Sequence, residues 1–186
     1  MTIDPRLQLS SMQRRLVERI MAAQPGDKLY IVSTRVSDTT WMMGTGTTTA
    51  LLVGLAQRKE SSVVVSATGR SCEQRYNQLL HDDLLPPDAC IWTAQGELMT
   101  LAGGRHIHFI AAGDERMRGI SPAGLWMYPD AEDMALPVPH LQPLLAANPD
   151  AIQVAAGKYR GALDDARRAA LEQDGWTIVD TRTLCK

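Results

Sequence analysis

The chain has 186 residues, which suits one domain and is too short for two domains of ordinary size. Its residues are 45% hydrophobic and 22% charged, as in globular proteins, so we expect a packed core and exclude an intrinsically disordered chain. The net charge of −2 gives the chain as a whole no attraction for nucleic acid, which leaves only local basic clusters for that role.

Cysteine usage and the N-terminal residues indicate the compartment. Cys72, Cys90 and Cys185 are odd in number and far apart, which argues against a disulfide framework and against a zinc site of the CxxC type. The N-terminal residues show no signal pattern, and no apolar run approaches the ~20 residues of a membrane span. We therefore expect a cytoplasmic protein without membrane contact.

The N-terminal half of the chain predicts alternating helices and strands. Residues 10–24 have apolar positions at helical spacing, with Ser10 or Ser11 as the N-cap and Pro25-Gly26 as the stop. Apolar strands are predicted at 28–33 and 62–66, and helices follow them at 50–56 and 71–81. This order is typical of a right-handed βαβ unit with a parallel sheet.

The second half predicts a β-hairpin and further strands. The hairpin lies within 97–111, and its arms meet at Gly103 and Gly104, because paired glycines favour a tight turn. The other predicted elements are strands at 90–92, 124–128, 151–155 and 176–180 and helices at 141–146 and 163–171. We expect one domain over 1–186, divided into an N-terminal helix, a core and a C-terminal helix and strand at 9–24, 28–157 and 158–186.

A loop of small residues, Gly44-Thr45-Gly46-Thr47-Thr48-Thr49, precedes the second predicted helix. A glycine-rich turn that ends at a helix N-terminus is typical of phosphate-binding loops, because backbone N–H groups and the helix dipole hold phosphate oxygens. Gly44, Gly46, Thr47 and Thr48 are the candidate phosphate-binding residues of this alignment. Thr47 stands where such loops place a lysine against the β- and γ-phosphates.

A second alignment places the loop directly after the strand at 28–33. It lays an Arg-x-x-Gly-Lys-Thr-Thr pattern on the chain with Thr39 and Thr40 as the threonines. Arg35 is then the candidate phosphate-binding arginine, one residue too close, and Asp38 falls on the lysine. Both alignments lose the same positive charge, and the sequence leaves the choice between them open.

Together with a segment downstream, these features resemble the ATPase core of phage large terminases and superfamily-2 helicases. After the strand at 124–128, Asp130 matches the water-activating glutamate of their Walker B box, while Pro129 stands where the magnesium-binding aspartate belongs. Gln13 is similar in place to the glutamine of the helicase N-terminal helix, and 152–161 takes the place of the motif that senses the γ-phosphate. The resemblance covers 9–157 and implies an α/β three-layer sandwich with a mostly parallel sheet, a RecA-like P-loop NTPase core with one β-hairpin insertion.

The departures from the family pattern all concern charge. Phosphoryl transfer relies on Lys, Arg and Mg²⁺ to neutralise developing negative charge, and Thr47 or Asp38, together with Pro129, replaces two of these groups. We therefore expect a catalytically degenerate domain of phage or mobile-element origin that uses no cofactor. It would bind a protein partner, such as a motor, nuclease or capsid component, or a nucleic acid, in the host cytoplasm or the virion.

The alternative is an active ATP-dependent DNA motor or packaging subunit. It would bind ATP and Mg²⁺ and use Asp130 as its catalytic residue. Arg35, Lys158 or Arg160, displaced from the usual lysine position, would then supply the positive charge at the edge of the sheet where ligands of α/β folds bind.

Two further groups of residues have simpler interpretations. His106 and His108 point to one face of a strand, a spacing that suits a metal pair, but no third ligand is apparent and we predict no metal site. Arg14, Arg15 and Arg19 are expected on the solvated face of the first helix, with contact to DNA phosphates as the alternative.

Overall fold

The structure is a computed structural model that describes residues 7–35, 46–81, 84–85, 90–94, 97–101, 103–112, 123–134, 136, 138–160 and 163–185. The helices are α1 (Ser11–Ala22), α2 (Thr47–Gln57), α3 (Gly69–His81), α4 (Gln142–Ala146) and α5 (Asp165–Gln173). The strands are β1 (Lys28–Arg35), β2 (Ser62–Ser66), β3 (Cys90–Ala94), β4 (Leu98–Leu101), β5 (Arg105–Ala111), β6 (Leu125–Tyr128), β7 (Ile152–Arg160) and β8 (Thr177–Asp180). Short 3-10 segments follow β6, precede α4 and follow β8 at Ala131–Asp133, Pro139–Leu141 and Thr181–Cys185.

All of these strands belong to one sheet, in the order β3-β4-β5-β2-β6-β7-β1-β8. The pairs from β5 through β8 are parallel, and β4 and β3 extend the sheet on one side as antiparallel strands. The strand order therefore brings the ends of β2, β6, β7 and β1 side by side. We call the edge at which these parallel strands end the carboxyl edge.

The helices α1, α2 and α3 cover one face of the sheet. Nine of the 11 residues of α2 are buried, because the helix lies between the sheet and α1. The two helices approach closely at Gly54, where an added Cβ would lie 2.9 Å from Cγ2 of the buried Ile20. A helix that is apolar on every side is typical of such a central position.

The opposite face is covered by α4, α5 and the segment around Met134. Tyr30 and Val32 of β1 point into this layer, while their neighbours Leu29 and Ile31 point toward α1 and α2. Trp176 packs edge-on against Tyr30, with ring centroids 5.9 Å apart. The side chains of β1 thus alternate between two apolar clusters, one on each face of the sheet. Because helices cover both faces, the molecule is a three-layer sandwich.

Local sequence signals account for several element ends. Ser10 and Gln13 form a reciprocal capping box at the start of α1, as the N-cap signal predicts. The turn between β4 and β5 contains Gly103 and Gly104, whose φ angles of 86° and 78° favour glycine. Asp164 caps α5 by accepting a hydrogen bond from the N–H of Arg167 at 2.8 Å.

The predicted fold class is confirmed: the protein is α/β, with a three-layer sandwich and a mostly parallel sheet, consistent with a RecA-like architecture, and the hairpin is present as β4 and β5. β1 and β7 run further than predicted, because they pair with each other from Lys28 and Gln153 to Arg35 and Arg160. α2 also begins earlier, at Thr47 rather than at residue 50. Among the described helices, none is long and apolar enough to cross a membrane.

Candidate functional site

The candidate site lies at the carboxyl edge, where the residues singled out from the sequence follow the ends of neighbouring strands. Asp130 lies two residues beyond the end of β6, and Arg35 is the last residue of β1. Open α/β sheets bind ligands in the crevice outside these strand ends. The topology therefore brings both parts of the predicted site to one edge of the sheet.

The start of α2 has the geometry of a loop-to-helix turn. Gly46 is the N-cap with a left-handed φ of 67°, and it supplies no capping side chain to the first turn. Thr47 and Thr48, which follow it, are both buried. The helix begins at Thr47, within the segment 44–49 that the first alignment treats as the phosphate loop. Gly44 lies outside the described residues.

The side chain of Gln13 connects α1 to this turn. Its Oε1 accepts a hydrogen bond from the N–H of Ser10 at 2.8 Å, and its Nε2 donates one to the carbonyl oxygen of Gly46 at 3.2 Å. A side chain on Gly46 would collide with Gln13, so the contact requires glycine there as well as a positive φ. One glutamine thus fixes both the start of α1 and the start of α2.

Asp130 is engaged in a buried ion pair rather than exposed to the crevice. Nη2 of Arg75 on α3 donates to its Oδ1 at 2.7 Å, and the side chains of Arg75 and Asp130 are only 10% and 9% exposed. Charged groups are rarely buried unless they are paired. The carboxylate of Asp130 is therefore held by a cation from a neighbouring helix.

The ion pair continues toward α2 through side-chain hydrogen bonds. Nη1 of Arg75 donates to Oε1 of Gln78 at 3.4 Å, and Nε2 of Gln78 donates to Oγ1 of Thr49 at 3.2 Å. We call Asp130, Arg75, Gln78 and Thr49 the polar cluster. It links the end of β6 to the first turn of α2 through two side chains of α3.

Two buried polar atoms of the polar cluster have no hydrogen-bond partner among the residues that the structure describes. They are Oδ2 of Asp130 and Nε of Arg75. Buried polar groups usually find a partner. The cluster is therefore only partly satisfied, which makes its ion pair sensitive to substitution.

The three basic residues considered as substitutes for the missing lysine lie on β1 and β7. In the register of β1 and β7, Arg35 is opposite Arg160, and Ser33 is opposite Lys158. This backbone pairing places three basic residues at the ends of adjacent strands at the carboxyl edge. Asp38, Thr39 and Thr40 of the second alignment lie outside the described residues.

The predicted histidine pair lies away from the carboxyl edge, on β5. Nδ1 of His106 is 3.2 Å from the hydroxyl of Thr100, and burial lowers the pKa of His108, with the neighbouring His106 lowering it further. Within the described part of the chain, no three His, Cys, Asp or Glu residues are grouped so that they could hold a metal ion.

Sequence reasoning missed Arg75 and Gln78. Both lie on α3, and Arg75 is separated from Asp130 by 55 positions, so that only the fold brings them together. Neither residue has a spacing or motif in the sequence that ties it to Asp130.

No known family model matches this chain, and no curated protein matches it.

Proposed function

We propose that this protein is a RecA-like domain with degenerate terminase- or helicase-type motifs, of phage or mobile-element origin, that does not hydrolyse ATP. It acts by binding a protein partner, such as a motor, nuclease or capsid component, or a nucleic acid. The observation that carries this proposal is the buried ion pair between Arg75 and Asp130.

Asp130 is poorly placed to activate water. A general base must lie within hydrogen-bond reach of the proton that it abstracts. Here Oδ1 is already taken by Arg75 at 2.7 Å, and the side chain is 9% exposed. An attacking water would have to displace the guanidinium or use Oδ2, which lies buried.

The positions that should carry positive charge support the same proposal. Thr47 begins α2 where a lysine is expected, and it is 1% exposed. Pro129, which replaces the magnesium-binding aspartate, offers no side-chain oxygen to a metal ion. Transition-state charge would thus lack both of its usual partners.

A second candidate function, an active ATP-dependent motor or packaging subunit, is favoured by the pairing of β1 with β7. That register places Arg35 beside Arg160 at the carboxyl edge, with Lys158 two residues before it. A basic residue from this pair could replace the missing lysine. This candidate requires ATP and Mg²⁺, and it predicts that turnover depends on these three side chains.

Nucleotide assays separate the two candidates. We expect no magnesium-dependent phosphate release above background from the purified protein, and no shift of its thermal unfolding midpoint by a non-hydrolysable ATP analogue. Arg35→Ala and Lys158→Ala are the informative variants, and Lys59→Ala, at the opposite edge of the sheet before β2, is the matched control. Hydrolysis that is lost in the first two variants and kept in the control would show the proposed function to be wrong.

A further inference from the structure

A groove runs along the outer edge of β8, away from the candidate site. Within the part of the chain that the structure describes, β8 pairs only with β1 and is the last strand of the sheet order. In a parallel edge strand, every second residue directs its N–H and C=O away from the sheet. The outer side of β8 therefore offers backbone donors and acceptors to an incoming strand.

The groove has a mixed lining with a basic residue on each side. It has a volume of about 520 Å³, and apolar Ile178, Val179 and Leu184 line it together with polar Asp180 and Thr183. Ile178 and Val179 point to opposite faces of the sheet, so each side of the groove has an apolar part. Arg19 of α1 lies on one side of the sheet and Arg168 of α5 on the other. We call this feature the β8 groove.

The β8 groove has a positively charged side chain on each side, Arg19 and Arg168. Arg19 is exposed and takes part in no ion pair among the described residues. Arg168 is 4.0 Å from Glu172, and both side chains are solvated, so this pair is weak. The acidic side chain in the groove, Asp180, is paired with Arg182, and the charge of Arg168 also lowers its pKa, so Asp180 offsets part of the positive charge on that side.

We propose that the β8 groove binds an extended, acidic segment of a partner protein, which adds a strand to β8. This inference rests on the proposed function and names the surface and the chemistry of the partner. Successive side chains of a strand point to opposite faces of the sheet. Two adjacent acidic residues would therefore reach Arg19 on one side and Arg168 on the other.

Other occupants fit the β8 groove less well. A second copy of this chain, paired through β8, would bring its own Arg19 and Arg168 against the same two arginines, which is unfavourable. A nucleic acid has no regular row of amide donors and carbonyl acceptors to match the open edge of β8. An acidic strand matches the two arginines, the apolar side chains on either side of β8 and the backbone edge together.

The test uses a fluorescent peptide of about eight residues, the length of a typical strand. It consists of valine and threonine with two adjacent glutamates at its centre, and its binding to the full chain is followed by fluorescence anisotropy. We expect saturable binding that weakens at least about tenfold when lysines replace the glutamates. N-methylation of alternate peptide amides should also abolish binding, because it removes the donors that pair with β8.

Protein variants locate the binding surface. Arg19→Glu/Arg168→Glu should weaken the binding of the glutamate peptide at least about tenfold and improve that of the lysine peptide. Arg14→Glu/Arg70→Glu makes the same change in net charge at exposed positions outside the groove and should leave the affinity unchanged. Equal effects of the two double variants would show that only net charge matters and would overturn the proposal.

Two further outcomes would also overturn it. One is the absence of saturable peptide binding up to about 1 mM. The other is tighter, groove-dependent binding of a fluorescent thymidine single strand of about 15 nucleotides, which would make the groove a nucleic-acid site. ATP hydrolysis is measured separately, so that the two proposals can fail independently. If the protein binds the peptide and also hydrolyses ATP, only the proposed function is refuted. If it shows neither peptide binding nor hydrolysis, only the proposal for the β8 groove is refuted.

Discussion

Two ion pairs lie at the carboxyl edge, and they differ in where their arginine comes from and how far it is exposed. Asp130, just beyond β6, is paired with Arg75 from a helix distant in sequence, and both side chains are nearly buried. Asp180, at the end of β8, is paired with Arg182 only two residues away, whose side chain is 53% exposed. The same two residue types thus form a tertiary contact in one place and a local surface contact in the other.

The difference indicates which part of the edge can accept a partner. Breaking the pair of Arg75 and Asp130 would leave a charge buried in the layer between α2, α3 and the sheet. The pair of Asp180 and Arg182 can rearrange at lower cost, because Arg182 already lies in solvent, although the side chain of Asp180 is only 15% exposed. The region around the polar cluster is therefore fixed more firmly by the fold than the region around β8.

The largest expected effect is that of Arg75→Met. It leaves the carboxylate of Asp130 unpaired in the interior and should lower the free energy of unfolding by about 3–5 kcal/mol. Urea denaturation measures the loss, with Arg70→Met on the exposed side of the same helix as the control. The double variant Arg75→Met/Asp130→Met should recover part of the loss, and equal stability of Arg75→Met and Arg70→Met would show that the buried pair is not a structural constraint.

A smaller loss is expected from Gly54→Ala, which tests the packing of α2 against α1. The added methyl group would lie 2.9 Å from Cγ2 of the buried Ile20, so that α1 must shift. The expected decrease in the free energy of unfolding is about 1–3 kcal/mol, less what alanine adds as a better helix former. Gly69→Ala, where an added Cβ meets nothing within 4 Å, is the control and should lose nothing.

Gln13→Glu probes the contact between α1 and the start of α2. Glutamate can still accept the hydrogen bond from Ser10, but it cannot donate to the carbonyl oxygen of Gly46. We expect a loss of about 1 kcal/mol in urea denaturation at neutral pH. Gln8→Glu, an exposed change of the same charge, controls for electrostatics; if it costs as much, the bond to Gly46 contributes nothing.

Asp180→Asn should have the smallest effect on stability. The hydrogen bond from Arg182 lowers the pKa of Asp180, so the carboxylate stabilises the fold above the ordinary carboxyl pKa of about 3.9. That contribution is lost as the pH falls through the lowered folded-state pKa. The small difference in urea midpoint between Asp180→Asn and the unchanged protein should therefore shrink below about pH 4, and a difference that grows with acid would contradict this assignment.

Much of the fold follows from local sequence patterns. The period of apolar residues identifies α1 and the strands β1 and β2, and Gly103-Gly104 identifies the hairpin, because these signals are short-range. The length of β7 was underestimated: it continues through Gly157, which pairs with Val32 of β1. A strand end set by its neighbour in the sheet leaves little trace in the strand's own sequence.

The candidate site could be predicted only in part. The resemblance pointed to Gln13, Gly46 and Asp130, and the structure places Gln13 against Gly46. The partner of Asp130 could not be predicted, since Arg75 has no spacing or motif that ties it to the end of β6. The β8 groove was equally hidden, because it depends on which strand lies last in the sheet.

The burial of α2 has a consequence for how this molecule opens. With nine of its 11 residues buried, the helix has almost no surface of its own. Its amide hydrogens can exchange with solvent water only when α1 and the sheet separate from it together, which amounts to unfolding of the domain. In hydrogen–deuterium exchange, α2 should therefore be the slowest element, and its rate should report the stability of the whole protein.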